Sequence, residues 1–397
     1  MTSAAALSEL TVTRRFALTV GLLATANFVI VTTEFVMVGL LPETARDYGV
    51  PLEAAGRLVT WFALGAALGG PPLAMLAARC GVRPALLAAT FVTAMGNIVA
   101  ALEPSLAVLS IVRAVQGMAL PAFVSVASVA AAELAGPRRR GWAISLVNGG
   151  VVAATIVGVP AGMAVADRFA WPTTFGVLAL LGIASMAALA MILPRVAPVT
   201  PSSRRAELRL LGTPGFLGHL LLSAVLFTAM FTGYTYLPAL LVAIDRLDAT
   251  AAAWAMASFG LAGVLGNWLA GRTVDRGPLV ATAGVALVLG LVLLSVRPAA
   301  ATPLALFVVL GVWGAAHAAA FACCQVRVMT AGLAAPAFAL SLNISVCNLG
   351  IALGAGLGGI VASRCGVGAI GEAGAVLAAT AFVLAAVLIV GSQVKRR

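Results

Sequence analysis

The chain alternates long apolar stretches with short polar segments, and its first stretch shows the pattern most plainly. Residues 16–41 form a 26-residue apolar run that contains a single ionisable side chain, Glu34. A helix of that length spans the roughly 30 Å hydrocarbon core of a bilayer at about 1.5 Å of rise per residue. Comparable stretches recur along the chain, and each predicts one membrane-spanning helix. The twelve predicted spans are residues 16–41, 54–77, 84–102, 106–132, 142–166, 172–193, 216–242, 251–271, 279–296, 303–326, 337–361 and 370–391.

The composition agrees with this pattern. Of the 397 residues, 62% are hydrophobic and only 9% are charged, and the mean hydropathy is +1.10. A soluble domain carries about 25% charged residues. We therefore expect an all-α integral membrane protein. Its net charge of +11 is interpreted by position along the membrane, and not as a nucleic-acid site.

The basic residues are divided unevenly between the two ends of the predicted spans. If the N-terminus faces the cytoplasm, 17 of the 24 Lys and Arg residues fall in inner segments, with Arg327 counted among them. Six fall in outer segments, and Arg113 lies inside a span. The positive-inside rule then predicts that both termini are cytoplasmic.

Two pairs of similar segments predict an internal repeat. The turn at 79–84 resembles the turn at 271–278 at an offset of 197, and the stretch from Ser145 resembles the stretch from Ser345 at an offset of 200. We expect two six-helix halves in parallel repeat, residues 1–193 and 214–397, joined by a basic cytoplasmic linker at 194–213. The motif residues of the two turns are Arg79, Gly81, Arg83, Gly271, Asp275 and Arg276.

Three motifs follow one another in a recognisable order: TTEFVMVGLLPETARDYGV from Thr32, RAVQG from Arg113 and GVPAG from Gly158. With the two halves and the arginine turns, they resemble the major facilitator superfamily. Within it, the chain is most similar to the twelve-helix drug:proton antiporters, in particular bacterial sugar-efflux, arabinose-efflux and chloramphenicol exporters. The resemblance implies that spans 1, 4, 7 and 10 surround a central cavity, which opens alternately to either side. It also implies a monomer in the bacterial inner membrane.

Glu34 and Arg113 are the candidate proton-coupling residues. Each lies seven residues from the predicted outer end of its span, about 10 Å deep. A carboxylate at such depth costs on the order of 2.5–3.5 kcal/mol and is a functional candidate by default. We expect a charge-assisted pair in which Glu34 takes up a proton from outside and Arg113 exchanges Glu34 for groups such as Gln116. The resemblance assigns proton coupling to Arg113, and a purely structural ion pair is the alternative.

Four polar residues are candidates for substrate binding. Asn27 shares a helix face with Glu34, and Gln116 shares one with Arg113. Tyr234 lies at a similar depth in the seventh span, and His317 lies in the tenth span, where it is equally compatible with an interhelical hydrogen bond. The remaining amides within spans are expected to join helices. These amides are Asn148, Asn343 and Asn348.

Gly158, Pro160 and Gly162 match a glycine-proline motif that the resemblance associates with antiporters. Such a motif predicts a bendable helix with a face of small residues, placed where the two halves meet. Close packing within one half is the alternative for each glycine.

The first arginine turn departs from the family pattern, which has glycine and aspartate where this chain has Ala74 and Ala78. Asp275 keeps the pattern in the second half. We expect Asp275 to cap a helix or to pair with Arg327 or Arg139.

The sequence has no phosphate-binding glycine loop followed by Lys-Ser or Lys-Thr, and no His-Glu-x-x-His or paired-cysteine metal site. We therefore expect no cofactor and no enzymatic activity, and a proton gradient as the energy source. The favoured function is proton-coupled export of small amphipathic, drug-like molecules of the chloramphenicol type. Efflux of sugars or nucleosides, proton-coupled import and a membrane-embedded enzyme or lipid-handling protein are the alternatives.

Overall fold

The computed structural model of the chain describes residues 2–103, 105–136, 139–193, 204–245, 249–300 and 302–394. Within these ranges almost every residue is helical and no strand occurs. Helices satisfy their own backbone hydrogen bonds, which hydrocarbon cannot do for them.

We number the long helices α1 to α12 in chain order. Helix α5 contains a π-helical turn at Ala154–Gly158, and α7 is continued by the short helix Leu237–Asp245. The helix Arg204–Leu211, between α6 and α7, is called the linker helix. The bounds are α1 Thr2–Asp47, α2 Leu52–Cys80, α3 Val82–Ala101, α4 Leu106–Ala135, α5 Arg140–Ala153 with Val159–Phe169, α6 Trp171–Ile192, α7 Pro214–Tyr234, α8 Ala249–Thr273, α9 Pro278–Ala299, α10 Pro303–Ala331, α11 Pro336–Cys365 and α12 Ile370–Val394.

Eleven helices of the described chain are long and apolar enough to cross a membrane. They coincide with eleven of the twelve predicted spans. The remaining span, 54–77, lies in α2, several of whose side chains are outside the described part of the chain. The all-α membrane architecture is thus confirmed, and the count of twelve spans stays a prediction.

Corresponding helices pack in the same way in the first and last six. Helix α1 contacts α5 and α6, as α7 contacts α11 and α12. The pairs α2–α4 and α3–α6 correspond in the same way to α8–α10 and α9–α12. This correspondence supports the parallel repeat. The two halves meet mainly through α2 with α11 and α5 with α8.

The linker helix identifies one side of the bundle. Its Leu210 packs against Phe216 of α7, Val328 near the end of α10 and Ala339 near the start of α11. We call this the linker side, and the charge pattern predicts that it faces the cytoplasm. Of the predicted linker, residues 194–203 lie outside the described chain.

Glycines bring two helix pairs unusually close. A Cβ atom added to Gly117 of α4 would lie 1.9 Å from the backbone oxygen of Phe62 in α2. In the second half, a Cβ atom on Gly314 of α10 would lie 2.0 Å from the backbone oxygen of Phe259 in α8. Close backbone approach at small residues is the main source of helix association in membranes, where lipid is as apolar as leucine.

We predict that Gly117→Ala lowers the thermal unfolding temperature of the purified protein, because α2 and α4 must separate to admit the methyl group. Overpacking of this kind costs about 1–3 kcal/mol. Gly284→Ala in α9 is the control, since nothing lies within 4 Å of its added Cβ and alanine favours a helix. Unfolding is followed by intrinsic fluorescence. Equal unfolding temperatures for Gly117→Ala and wild type would contradict the close approach of α2 and α4.

Candidate functional site

A cavity of about 300 Å³ lies between the two halves. Its walls come from α1, α4 and α5 of the first half and from α7, α8, α10 and α11 of the second. The volume matches the lower end of the range found for small-molecule sites, about 300–1,000 Å³.

The cavity changes character from one end to the other. Near the linker side its wall carries the exposed amides of Asn267 and Gln325, each six residues before the end of its helix. Deeper in, the wall consists of buried or half-buried aromatic side chains. These lining residues are Phe35, Phe227, Tyr234, Phe259, His317 and Phe321.

Side-chain contacts close the cavity on the side opposite the linker. The ring of Phe35 in α1 lies 6.2 Å from that of Phe231 and 6.3 Å from that of Tyr234, both in α7. Beyond them, the hydroxyl of Tyr236 donates to the backbone oxygen of Ala355 in α11 at 2.9 Å. A Cβ atom on Gly56 of α2 would lie 2.0 Å from the same hydroxyl oxygen, so α2, α7 and α11 are in tight contact here. The structure is therefore open towards the linker side and closed on the other.

Glu34 lies in the wall of this cavity and is 9% exposed. It is the one carboxylate among the described lining residues, which include no lysine or arginine. Its position in α1 places it beside Phe35, at the closed end.

Arg113 does not form the expected side-chain pair with Glu34. The fully buried guanidinium donates from Nη1 to the backbone oxygen of Thr33 at 2.8 Å and from Nη2 to that of Glu34 at 3.1 Å. Its Cζ lies 4.4 Å from the centre of the Phe62 ring, a cation–π distance. The prediction of a carboxylate–guanidinium pair is therefore wrong: the planar fork binds the α1 backbone and positions Glu34 without using its side chain.

Gln116 is not part of the cavity wall. Its Nε2 donates to Asn97 Oδ1 at 2.9 Å and to the backbone oxygen of Thr93 at 3.1 Å, and Asn97 in turn donates to Thr33 Oγ1 at 2.9 Å. These buried bonds join α1, α3 and α4 around Arg113. A substrate contact by Gln116 is thus not supported, because the residue is 1% exposed, lies outside the cavity wall and donates its NH2 group to α3.

Asn27 is also directed away from the cavity. Its Nδ2 donates to the backbone oxygen of Val147 in α5 at 3.0 Å, and the residue is fully buried. Helical spacing correctly placed Asn27 near the face of Glu34, but α5 covers that part of α1. Its predicted role in substrate binding is not supported.

Tyr234 and His317 do line the cavity, as expected, and are 4% and 7% exposed. Their ring centres are 4.8 Å apart. No described residue forms a hydrogen bond with either ring nitrogen of His317, so the interhelical bond that was the alternative is absent.

The amides that were expected to join helices also line the cavity, which the sequence did not predict. Asn148, Asn343 and Asn348 all line the cavity, and Asn343 also accepts a hydrogen bond from Ser223 of α7 at 2.7 Å. A signal existed in α10, where small, aromatic and polar lining residues recur every three or four positions. That stripe is Gly314, His317, Ala318, Phe321, Ala322 and Gln325.

The glycine-proline motif of α5 contacts its own half. An added Cβ on Gly158 would lie 2.2 Å from Thr32 Oγ1, and one on Gly162 would lie 2.4 Å from Val36, both in α1. Gly158 ends the π-helical turn, which fits Pro160 two residues on, since proline cannot donate to the preceding turn. The other half approaches at Gly260 of α8, whose added Cβ would lie 2.7 Å from the backbone oxygen of Thr155.

The arginine turns have mainly structural contacts. Gly81 adopts a φ of +92°, which glycine tolerates best, and Arg83 donates from Nη2 to the backbone oxygen of Ala190 in α6. The side chain of Arg79 lies outside the described residues. In the second turn Gly271, Asp275 and Arg276 are exposed.

Arg327 is not an inner-loop cation, as the charge count assumed. It is 1% exposed in α10 and donates from Nη1 to the backbone oxygen of His219 at 2.7 Å and from Nη2 to Ser223 Oγ at 2.7 Å. The expected pairing with Asp275 is therefore not formed. Without Arg327, 16 of the 17 inner cations remain against six outer ones, so the predicted orientation is unchanged.

Comparison with known proteins agrees with this architecture. The family model described as Major Facilitator Superfamily matches residues 23–332. The inner membrane transport protein YdhP of Escherichia coli O157:H7 is 32% identical over 363 residues, which cover 91% of this chain and 93% of that protein.

Two further relatives bear names that describe efflux or resistance. A chloramphenicol resistance protein of Streptomyces lividans is 32% identical over 339 residues, covering 84% of this chain and 86% of that protein. A probable sugar efflux transporter of Mannheimia succiniciproducens is 26% identical over 361 residues, covering 91% of each chain.

We predict that Glu34→Gln leaves the unfolding temperature close to that of wild type, whereas Arg113→Gln lowers it. Arg113 binds the backbone at residue 34, so its bonds survive the loss of the Glu34 charge. Removing the guanidinium deletes two charged hydrogen bonds, each worth about 1.5–3 kcal/mol. The prediction is tested by measuring the thermal unfolding temperature of both purified variants and of wild type.

The matched control is Arg297→Gln, which removes an arginine from an exposed ion pair with Glu372 at 3.5 Å. Such pairs contribute about 0–1 kcal/mol, so little change is expected. Equal destabilisation by Glu34→Gln and Arg113→Gln would instead support a side-chain ion pair.

Proposed function

Because the chain belongs to the Major Facilitator Superfamily, whose members are transporters and not enzymes, we propose that it is a proton-coupled exporter of small amphipathic molecules. It works by alternating access in a bacterial inner membrane, with both termini in the cytoplasm. The name of the E. coli relative supports this membrane, and the charge pattern supports the orientation.

One observation carries the proposal: Glu34, the one described carboxylate of the cavity wall, lies at its closed, aromatic end. An ionised carboxylate enclosed among aromatic rings is costly, whereas a protonated one is not. A state that encloses the empty cavity therefore favours bound H⁺, and a state open to water permits its release. Proton and substrate then use the same space at different steps, which is the requirement for antiport.

Arg113 positions Glu34 throughout this cycle. Its guanidinium binds the α1 backbone at Thr33 and Glu34. It therefore keeps a positive charge near the Glu34 carboxylate without forming a hydrogen bond to it. The carboxylate is left free to exchange H⁺ with water in the cavity. The proton returns inward down its gradient as the substrate leaves.

The substrate is neutral or weakly charged, because the described cavity wall has one carboxylate and no cation. Drug efflux of the chloramphenicol type is our first choice, and the name of the Streptomyces relative supports it. The amides near the linker side favour a second candidate, a sugar or nucleoside, and the Mannheimia relative's name supports that choice. A proton-coupled importer would use the same cavity with the opposite direction of flux.

We expect proteoliposomes with wild-type protein to move chloramphenicol uphill when a pH gradient is imposed. The uphill transport rate of Glu34→Gln should be at least roughly tenfold lower than that of wild type. The variant should keep substrate exchange without a gradient, since the substitution removes only the titratable group. Glu372→Gln is the control, because Glu372 is an exposed carboxylate in α12, far along the chain from the cavity wall. Full pH-driven transport by Glu34→Gln would refute the role of this carboxylate.

Proton release in weak buffer separates the candidate substrates. Chloramphenicol added to wild-type protein should release protons, and the release should vanish in Glu34→Gln. Release by a sugar or nucleoside alone would favour the second candidate. Uptake along the imposed proton gradient would identify an importer.

A further inference from the structure

His317 is a polar side chain in the cavity wall that has no hydrogen-bond partner among the described residues. It is 7% exposed, and its Nδ1 atom is fully buried with no hydrogen-bond partner among the described residues. Nε2 also lacks a described partner but is not fully buried, so it is the nitrogen that the cavity reaches. Nε2 is therefore the ring nitrogen at which a ligand can form a hydrogen bond with His317.

Four aromatic rings surround His317. Their centres lie 4.8 Å (Tyr234), 5.3 Å (Phe231), 5.4 Å (Phe259) and 5.7 Å (Phe321) from its own. They come from α7, α8 and α10, so the second half supplies the whole group. Aromatic rings prefer offset or edge-to-face neighbours at such distances, and such pairs stabilise one another beyond the burial of apolar surface.

The amide side chains of the cavity lie towards its linker side, whereas Glu34 lies at the closed end. Amides line the wall towards the linker side, where Asn267 and Gln325 are exposed. A ligand that matches both ends therefore has a ring at one end and a neutral hydrogen-bonding group at the other.

We propose that His317, Phe259 and Phe321 form a subsite for an aromatic ring whose adjacent hydroxyl or amide group binds His317 Nε2. This subsite discriminates aromatic from saturated ligands of equal polarity. The amides near the linker side bind the polar end of either kind. The inference rests on the proposed function in one respect, that the cavity holds the transported substrate.

Equilibrium binding without a proton gradient tests the subsite. The probes are N-acetyl-phenylalaninol and N-acetyl-cyclohexylalaninol, which carry the same amide and hydroxyl and differ in the ring. Isothermal titration calorimetry on the purified protein should show roughly a threefold to tenfold preference for the aromatic probe. Equal affinities, or no binding of either probe at millimolar concentration, would overturn the proposal.

Variants of the ring and of the nitrogen separate the two contributions. Phe321→Leu should reduce the preference to less than about twofold, because it removes a stacking partner and keeps an apolar side chain. Phe307→Leu is the matched control, since Phe307 lies in the same helix, is 43% exposed and is not in the cavity wall. A preference unchanged by Phe321→Leu, or reduced equally by Phe307→Leu, would contradict the assignment.

His317→Leu should weaken the aromatic probe roughly threefold to tenfold, and His317→Gln should restore most of the affinity, because its amide also offers a hydrogen bond at this depth. Equal affinities in His317→Leu and His317→Gln would exclude the hydrogen bond. Failure of pH-driven transport with an intact aromatic preference would refute proton coupling alone. Equal affinities for the aromatic and saturated probes, together with normal Glu34-dependent transport, would refute the subsite alone.

Discussion

Each half of the bundle buries one arginine side chain, and the architecture depends on how these two guanidinium groups are bound. Glu34 is the other charged residue among the buried side chains of the described chain. Arg113 in α4 and Arg327 in α10 are both nearly inaccessible. Each donates to a backbone carbonyl of the first helix of its own half, Arg113 to α1 and Arg327 to α7. These bonds occupy Nη donors of each arginine without neutralising its charge, and the Nε atom of both has no hydrogen-bond partner among the described residues. Each arginine therefore fixes a cavity-lining helix. Arg113 leaves the Glu34 side chain free, whereas Arg327 also binds the side chains of His219 and Ser223.

The two halves use this device at different depths. Arg113 binds at residues 33 and 34, beside the closed end of the cavity, whereas Arg327 binds at His219 and Ser223, near the linker side. Ser223 then donates to Asn343, which lines the cavity. The first half thus supports the carboxylate at the aromatic end, and the second half supports the amides nearer the linker side. A cavity with distinct ends suits an amphipathic ligand better than a uniformly polar one.

Much of the candidate site was predictable because charge and polarity are rare in the spans. A lone carboxylate in a 26-residue apolar run was recognisable without a structure, and Glu34, Tyr234 and His317 do line the cavity. Asn27 and Gln116, which were also predicted to bind substrate, do not line the cavity. Helical spacing shows which residues share a face, but not which neighbouring helix covers that face. Asn148, Asn343 and Asn348 were undervalued for the same reason.

The sequence by itself determined the membrane class, the helical fold and the family, because apolar runs and local motifs are properties of neighbouring residues. The matching model and the relatives confirm that family. Only the tertiary structure decided that Arg113 binds backbone carbonyls and that rings from three helices surround His317. Those contacts depend on the rotation and separation of helices far apart in the chain. Glycine packing between helices sets that geometry, and no local pattern encodes it.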